Sequence, residues 1–125
     1  MLVVRKSDRK SFRAVDGSEV REIFGLPTTG TQELSLAVAK LKRGSKTIRH
    51  KHSFIEIYVL TKGNGVMYID GSNKKVKKGD NILIPKGAWH WIENTGKTSL
   101  ELWCICAPAF TPNGTTIDEA VTSRH

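Results

Sequence analysis

Glycine closes one short apolar run after another along this chain, and that punctuation restricts the fold more than any other feature. Lys62 to Gly65 turns into Val66 to Asp70, Asp70 to Asn73 into Lys74 to Lys78, and Lys78 to Asp80 into Asn81 to Ile84. Pro85 to Gly87 breaks the chain before Ala88 to Ile92, and Asn94 to Lys97 precedes Leu100 to Cys106. Segments this short leave no room for a helical apolar stripe, whereas their β-branched and aromatic residues suit a pleated surface. The pattern predicts an all-β protein, an antiparallel sandwich or barrel.

The upstream half agrees. Phe12 to Val15 and Glu19 to Phe24 flank Asp16-Gly17, which reads as a hairpin. Leu26 to Thr31 is a loop by composition, Leu34 to Leu41 alternates as a strand, and Lys42 to Lys46 turns the chain. His50 to Leu60 is read as a continuous strand, with Glu56, Tyr58 and Leu60 facing one way and Ile55, Ile57 and Val59 the other. Both faces are largely apolar, so a second packed layer is expected outside it. The segment Pro108 to Gly114 is irregular, and Thr116 to Val121 adds one helical turn at most. The expected organisation is one domain over 1–125, with N-terminal strands or arm at 1–33, a barrel core at 34–107 and a tail at 108–125.

Composition narrows the class. Of the 125 residues, 38% are hydrophobic and 26% charged, ordinary values for a globular domain. No apolar run approaches the ~18 residues of a membrane span. Met1 to Val4 runs straight into Arg5 and Lys6, too short for a secretory leader, so the cytoplasm is the expected location. Cys104 and Cys106 face the same way on one strand and are poorly placed to bridge, so they read as free thiols. A Cys-x-Cys metal site would lack further soft ligands nearby.

The net charge is +8. The basic residues are dispersed, without an arginine-rich helix or zinc-finger spacing, so neither nucleic acid nor a membrane is an expected partner. Solubility and a preference for small anions are the reading instead. Lys42, Arg43, Lys46, Arg49 and Lys51 are expected to crowd the approach to the site described next, although lysines at strand edges also serve to block edge pairing.

That site centres on His50, His52 and Glu56. In an extended segment these three share parity and point to one side. His90 would reach them from a strand brought alongside. Three imidazoles and a carboxylate make a nitrogen and oxygen donor set for a divalent transition metal. An isolated H-x-H would equally suit surface histidines beside a glutamate salt bridge. The placement of nearly all the chain's histidines at ligand positions argues for the metal: of four, only His125 lies outside.

The spacing of glycines and histidines together resembles the cupin superfamily. Gly44, five residues, His50-x-His52, three residues, Glu56, six residues and Gly63 reproduce the first cupin motif. Gly79, five residues, Pro85-x-Gly87, two residues, His90, three residues and Asn94 reproduce the second. The fifteen residues between Gly63 and Gly79 are similar to the compact spacing of small single-domain microbial cupins. The resemblance covers Gly44 to Asn94. It implies a double-stranded β-helix, a jelly-roll-like barrel, with one metal held inside by His50, His52, Glu56 and His90. It also implies a homodimer in which N-terminal strands pack on or pair with the partner.

Four protein ligands leave one or two positions for water or a chelating substrate, the opening that distinguishes a catalytic site from a structural one. The donor set accepts Fe, Mn, Ni, Co, Cu or Zn. Three neutral imidazoles and one carboxylate leave a divalent ion with one net positive charge, which favours an anionic, bidentate oxygen ligand. Tyr58 shares parity with Glu56 and is the candidate catalytic side chain, as a hydrogen-bond donor or weak acid. No second carboxylate is expected in the pocket as a strong base. Trp89 and Trp91 have the opposite parity to His90 and should pack outside the cavity, whereas Trp103 and Met67 are expected in the core. Two functions remain open: a metal-dependent oxygenase or isomerase acting on a small anionic metabolite, or a non-catalytic barrel binding a carboxylate or sugar.

Overall fold

The computed structural model describes residues 1–119 and turns the glycine-bounded runs into antiparallel strands. They are β1 (Phe12–Arg13), β2 (Glu19–Phe24), β3 (Ser35–Leu41), β4 (His50–His52), β5 (Ile55–Lys62) and β6 (Asn64–Ile69), followed by β7 (Ser72–Lys77), β8 (Asn81–Ile84), β9 (His90–Glu93), β10 (Leu100–Ala107) and β11 (Thr115–Ile117). Two sheets result, ordered β1-β2-β3-β10-β5-β8 and β11-β4-β9-β6-β7. This is a jelly-roll sandwich. The Asp-Gly hairpin forms as expected, with Phe12 opposite Val20 and Arg13 opposite Glu19. Among the described residues no helix is long and apolar enough to cross a membrane.

Three segments differ from the sequence expectation. His50 to Leu60 is not one strand: the chain leaves β4 at Ser53 and Phe54 and enters β5 in the other sheet. Parity survives the crossing, because His50, His52, Phe54 and Glu56 are all buried while Ser53 and Ile55 are exposed. Leu26 to Thr31 contains a single helical turn, α1 (Leu26–Thr29), with Pro27 in its first turn and Gly30 as a left-handed cap at φ 71°. Those residues punctuate a one-turn helix as well as a loop. The expected helical turn near Thr116 is instead β11, paired with β4; residues 120 and 121 of that expectation lie outside the described residues.

The interior changes character along its length. Across β5, β10 and β3 the inward residues come in aligned rows: Leu60, Leu102 and Ala39, then Tyr58, Cys104 and Ala37, then Glu56, Cys106 and Ser35. Leu41, Leu60, Leu100 and Leu102 pack with Met67, Ile84 and Ile92 into a closed core at the first end. Toward the other end β3 and β10 carry only small side chains, which cannot fill the space between the sheets. A cavity of about 200 Å³ opens there.

Turns hold the two sheets in register. Gly44, Gly63, Gly79 and Gly87 all lie at positive φ, and Gly65 is required for a different reason: an added Cβ would meet the Glu93 carbonyl oxygen at 2.1 Å. Asn94 is buried and closes the following turn, its Nδ2 donating to Leu41 O (3.1 Å) and Thr98 O (2.9 Å) and its Oδ1 accepting from Gly96 N (3.0 Å). The turn after Pro85 is tied to β4 by Gly87 N, which donates to His52 O at 2.7 Å.

Candidate metal centre

His50 and His52 arrive from β4, His90 from β9 directly opposite His50, and Glu56 from β5 in the facing sheet. All four are buried, and one donor atom from each lies within 4.8 Å of the others. The structure thus brings to one point the four side chains that the sequence pairs.

Each imidazole is oriented through its other nitrogen. His50 Nδ1 donates to Ile48 O at 2.6 Å and His90 Nδ1 to Ala88 O at 2.9 Å. His52 Nδ1 lies 2.9 Å from Thr115 Oγ1, and since that hydroxyl donates to Thr111 O, it accepts from the imidazole. These bonds fix the tautomers, so every Nε2 presents a lone pair to the same point. Phe54 stacks on His52 with ring centroids 4.6 Å apart. Glu56 Oε1 sits 3.3 Å from His52 Nε2 and 3.4 Å from His90 Nε2, while Oε2 accepts a 3.3 Å hydrogen bond from the Cys106 thiol.

Two buried atoms in this cluster, Glu56 Oε1 and His90 Nε2, have no hydrogen-bond partner among the described residues. Burying two such groups unpaired is costly. A divalent ion held by both would remove the cost, so the residues present fit a metal.

The protonation states suit that role. Burial holds His50 down from 6.5 to about 4, aided by repulsion from His90, so its imidazole is neutral at physiological pH. Burial alone would raise Glu56, but the adjoining His52 and His90 imidazoles outweigh it and bring the carboxyl down to about 2. Tyr58 lines the cavity as expected, and burial together with the Glu56 charge pushes its phenol up, which leaves it a donor rather than a base. Burial, followed by the same charge, raises both thiols. Cys104 and Cys106 are free, as expected, and they face the cavity as neutral groups.

Other expectations are corrected. The cavity contains further carboxylates where the sequence predicts none: Asp16 and Glu22 both line it. Asp16 Oδ2 stands 3.9 Å from His50 Nε2, while its Oδ1 accepts from Ser18 N (3.0 Å) and Ser18 Oγ (2.6 Å). In sequence it reads only as the first half of an Asp-Gly turn, and nothing in local spacing shows that Ile48 N binds Asp16 O (2.8 Å) and pins the turn over the site. The basic cluster does not crowd the metal. Lys42, Arg43 and Lys46 are exposed and do not line the cavity. Arg49 pairs with Asp118 at 2.8 Å, and both Arg49 and Lys51 lie over the Trp89 ring on the outer face. Arg13, from β1, is the lining cation.

Trp89 and Trp91 lie outside the cavity, Trp91 stacked on Tyr68 at 4.3 Å. Met67 is in the core, but Trp103 is on the outer face of the six-stranded sheet, because its partners across the sheet are Val38 and Val59 rather than an inward row.

A family model described as a cupin domain matches residues 37–106. An uncharacterised protein of Methanocaldococcus jannaschii is 39% identical over 111 residues, 88% of this chain and 89% of that one. An oxalate-binding protein of Thermotoga maritima is 40% identical over 67 residues, 53% of this chain and 55% of its own. The crystal structure of a predicted oxalate decarboxylase, also from Thermotoga maritima, superposes with a TM-score of 0.74 at 32% identity, covering 86% of this chain and 99% of that one.

Proposed function

This chain belongs to the cupin family, and from that premise we propose that it binds one divalent transition metal and acts on a small anionic metabolite chelated beside it. The carrying observation is the pair of buried, unpartnered donor atoms, Glu56 Oε1 and His90 Nε2, 3.4 Å apart. His50, His52, Glu56 and His90 hold the ion. When bound, the metal supplies a Lewis acid that polarises a chelated carbonyl or enolate oxygen, which is the requirement of oxygenase and isomerase chemistry.

The remaining groups have defined tasks. Cys106 holds one carboxylate oxygen of Glu56 so that the other faces the imidazoles. Tyr58, kept protonated by burial, donates a hydrogen bond to a ligand oxygen. Phe54 and Phe110 pack against His52 and exclude water from that side. Asp16 closes the cavity from above. The free thiols support the cytoplasm as the protein's place.

A homodimer belongs to the same proposal. The outer face of the six-stranded sheet is apolar through Ile57, Val59, Trp103 and Ile105, and Ile55 and Leu83 are 40% and 59% exposed. The second layer expected over β5 is absent among the described residues, and a second copy would supply it.

The likeness to an oxalate-binding protein favours a second reading, in which the same site holds a carboxylate without turning it over. Metal analysis of the protein as isolated, followed by oxygen-uptake and product assays with enols, thiols and sugar acids, separates the two. Turnover that is lost in His52→Ala and restored in the wild type by one particular metal supports the enzyme. Metal-dependent binding without turnover supports the receptor, and a protein that takes up no divalent ion sinks both.

A further inference from the structure

Glu22 is the one cavity-lining carboxylate that none of the roles above employs. It lies on β2 opposite Ala37, and the same row continues through Cys104 to Tyr58 on β5. Three strand spacings therefore separate the backbone of Glu22 from that of Tyr58, about 14 Å at the usual 4.7–4.9 Å per strand. Between them the floor is built from Ala37 and Cys104, with Ser35 and Cys106 in the row toward the metal. Such a floor cannot close the gap, and the cavity runs along it from the histidine cluster to Glu22.

At the far end the glutamate is held but not satisfied. Its Oε1 is packed so closely over Gly25 that an added Cβ there would meet it at 2.4 Å. Its Oε2 is buried and has no hydrogen-bond partner among the described residues. A buried acceptor of this kind normally has a donor. The remaining walls offer little in that respect: Val20, Ala39, Phe110 and Pro112 are apolar, and the lining cation, Arg13, directs its Nη1 to Gly17 O at 2.9 Å. At about 200 Å³, the space suits a ligand longer than a two-carbon diacid.

We propose that Glu22 is the specificity-determining residue of this site: it selects a ligand with an anionic chelating head, a short apolar body and a hydrogen-bond donor, an ammonium or hydroxyl, at the opposite end. The inference rests on the metal-chelation reading above and adds the far terminus of the ligand to it. Glu22 accepts from that donor while the head occupies the open side of the metal. A ligand with a carboxylate at the far end meets Glu22 as a like charge and is rejected.

Matched chelators test this in the cobalt-loaded protein. Hexanohydroxamic acid, its ω-amino derivative and its ω-carboxy derivative share one monoanionic bidentate head and differ only at the terminus. Calorimetric titration should rank them amino, then methyl, then carboxy, with about a tenfold gap between the first two, as expected for one hydrogen bond to a charged group. In Glu22→Gln, verified to keep the wild-type cobalt stoichiometry and melting temperature, the amino preference should vanish and the carboxy compound should recover. Equal affinities for all three in the wild type, with binding still cobalt-dependent, would overturn the role of Glu22 and leave metal chelation intact. Binding that is independent of cobalt, or no binding at all, would overturn both. Should Glu22→Gln fold poorly, Glu22→Asp, which withdraws the carboxylate while keeping its charge, should reduce the amino preference without reversing the order; an unchanged preference would count against the assignment.

Discussion

Acidification should destabilise the metal-free protein through His50 before any carboxylate contributes. The unfolded chain takes up a proton on this imidazole near 6.5, whereas the folded chain does so only near about 4 because the ring is buried beside His90. Between those values the unfolded state holds more protons, so stability falls as pH falls. The full displacement corresponds to about 3 kcal/mol at 1.36 kcal/mol per pH unit. Nearly none of it is lost at about pH 8, about 1 kcal/mol by about pH 6 and about 2 kcal/mol by about pH 5. Glu56 acts in the same direction but later: its carboxyl is held at about 2 against an ordinary 4.5, so its contribution disappears only as pH falls below that ordinary value. The interval from about pH 8 to about pH 5 therefore isolates the histidine. Urea unfolding of chelator-treated protein, followed by tryptophan fluorescence at several pH values, measures the loss directly. His50→Asn, whose amide can still donate to Ile48 O, should flatten the dependence over the same interval. A wild-type stability that changes by less than about 0.5 kcal/mol between about pH 8 and about pH 5, or an equal loss in His50→Asn, would refute the reasoning.

Two further outcomes follow from packing. Gly65→Ala should cost about 3 kcal/mol, because its Cβ would lie 2.1 Å from the Glu93 carbonyl oxygen, whereas Gly44→Ala, with nothing within 4 Å of the added atom, should lose only the left-handed penalty of about 1–2 kcal/mol; thermal unfolding of the two variants gives the order. Ile55→Glu combined with Leu83→Glu places charges on the exposed apolar face and should convert a dimer into monomers of 13.9 kDa; sedimentation that shows wild-type protein already monomeric would remove that face from consideration as an interface.

The parts of this molecule legible in the sequence are those in which one local pattern has one physical meaning. Alternation across Glu56, Tyr58 and Leu60 predicts three buried side chains and Ile57 and Val59 on the other face, as found. Gly63 and Gly79, placed where the chain reverses, occupy the left-handed region as turn residues of that kind do. Three of the four candidate ligands, His50, His52 and Glu56, are visible because their spacing follows strand parity, which persists even where the strand is broken at Ser53 and Phe54, whereas His90 is placed by the motif spacing. What remained illegible depends on contacts distant in sequence. Asp16 reaches the cavity only because its turn is tied to Ile48, and Glu22 only because β2 pairs with β3 and so joins the row that ends at Tyr58. Lys51 follows local parity instead: it alternates with His50 and His52 and is therefore directed to the outer face, onto Trp89, although it is their nearest neighbour in sequence.

These misplaced charges alter what the site can hold. A net charge of +8 suggests a protein that attracts anions of any valence, but that charge resides on the surface. Exposed charges more than about 8 Å away are largely screened at physiological ionic strength, so lysines on the outer face contribute little to a ligand inside. Within the cavity the charges come close to cancelling. A divalent ion and Glu56 together leave one positive charge, while Asp16 and Glu22 supply two carboxylates and Arg13 stands at β1 with its Nη1 already engaged. A dianion would satisfy the metal at the cost of facing both carboxylates in a poorly solvated space. A singly charged head avoids most of that repulsion, and a donor at the other terminus turns the remaining carboxylate into an attraction. The acidic lining thus argues for a ligand that is negative at one end only.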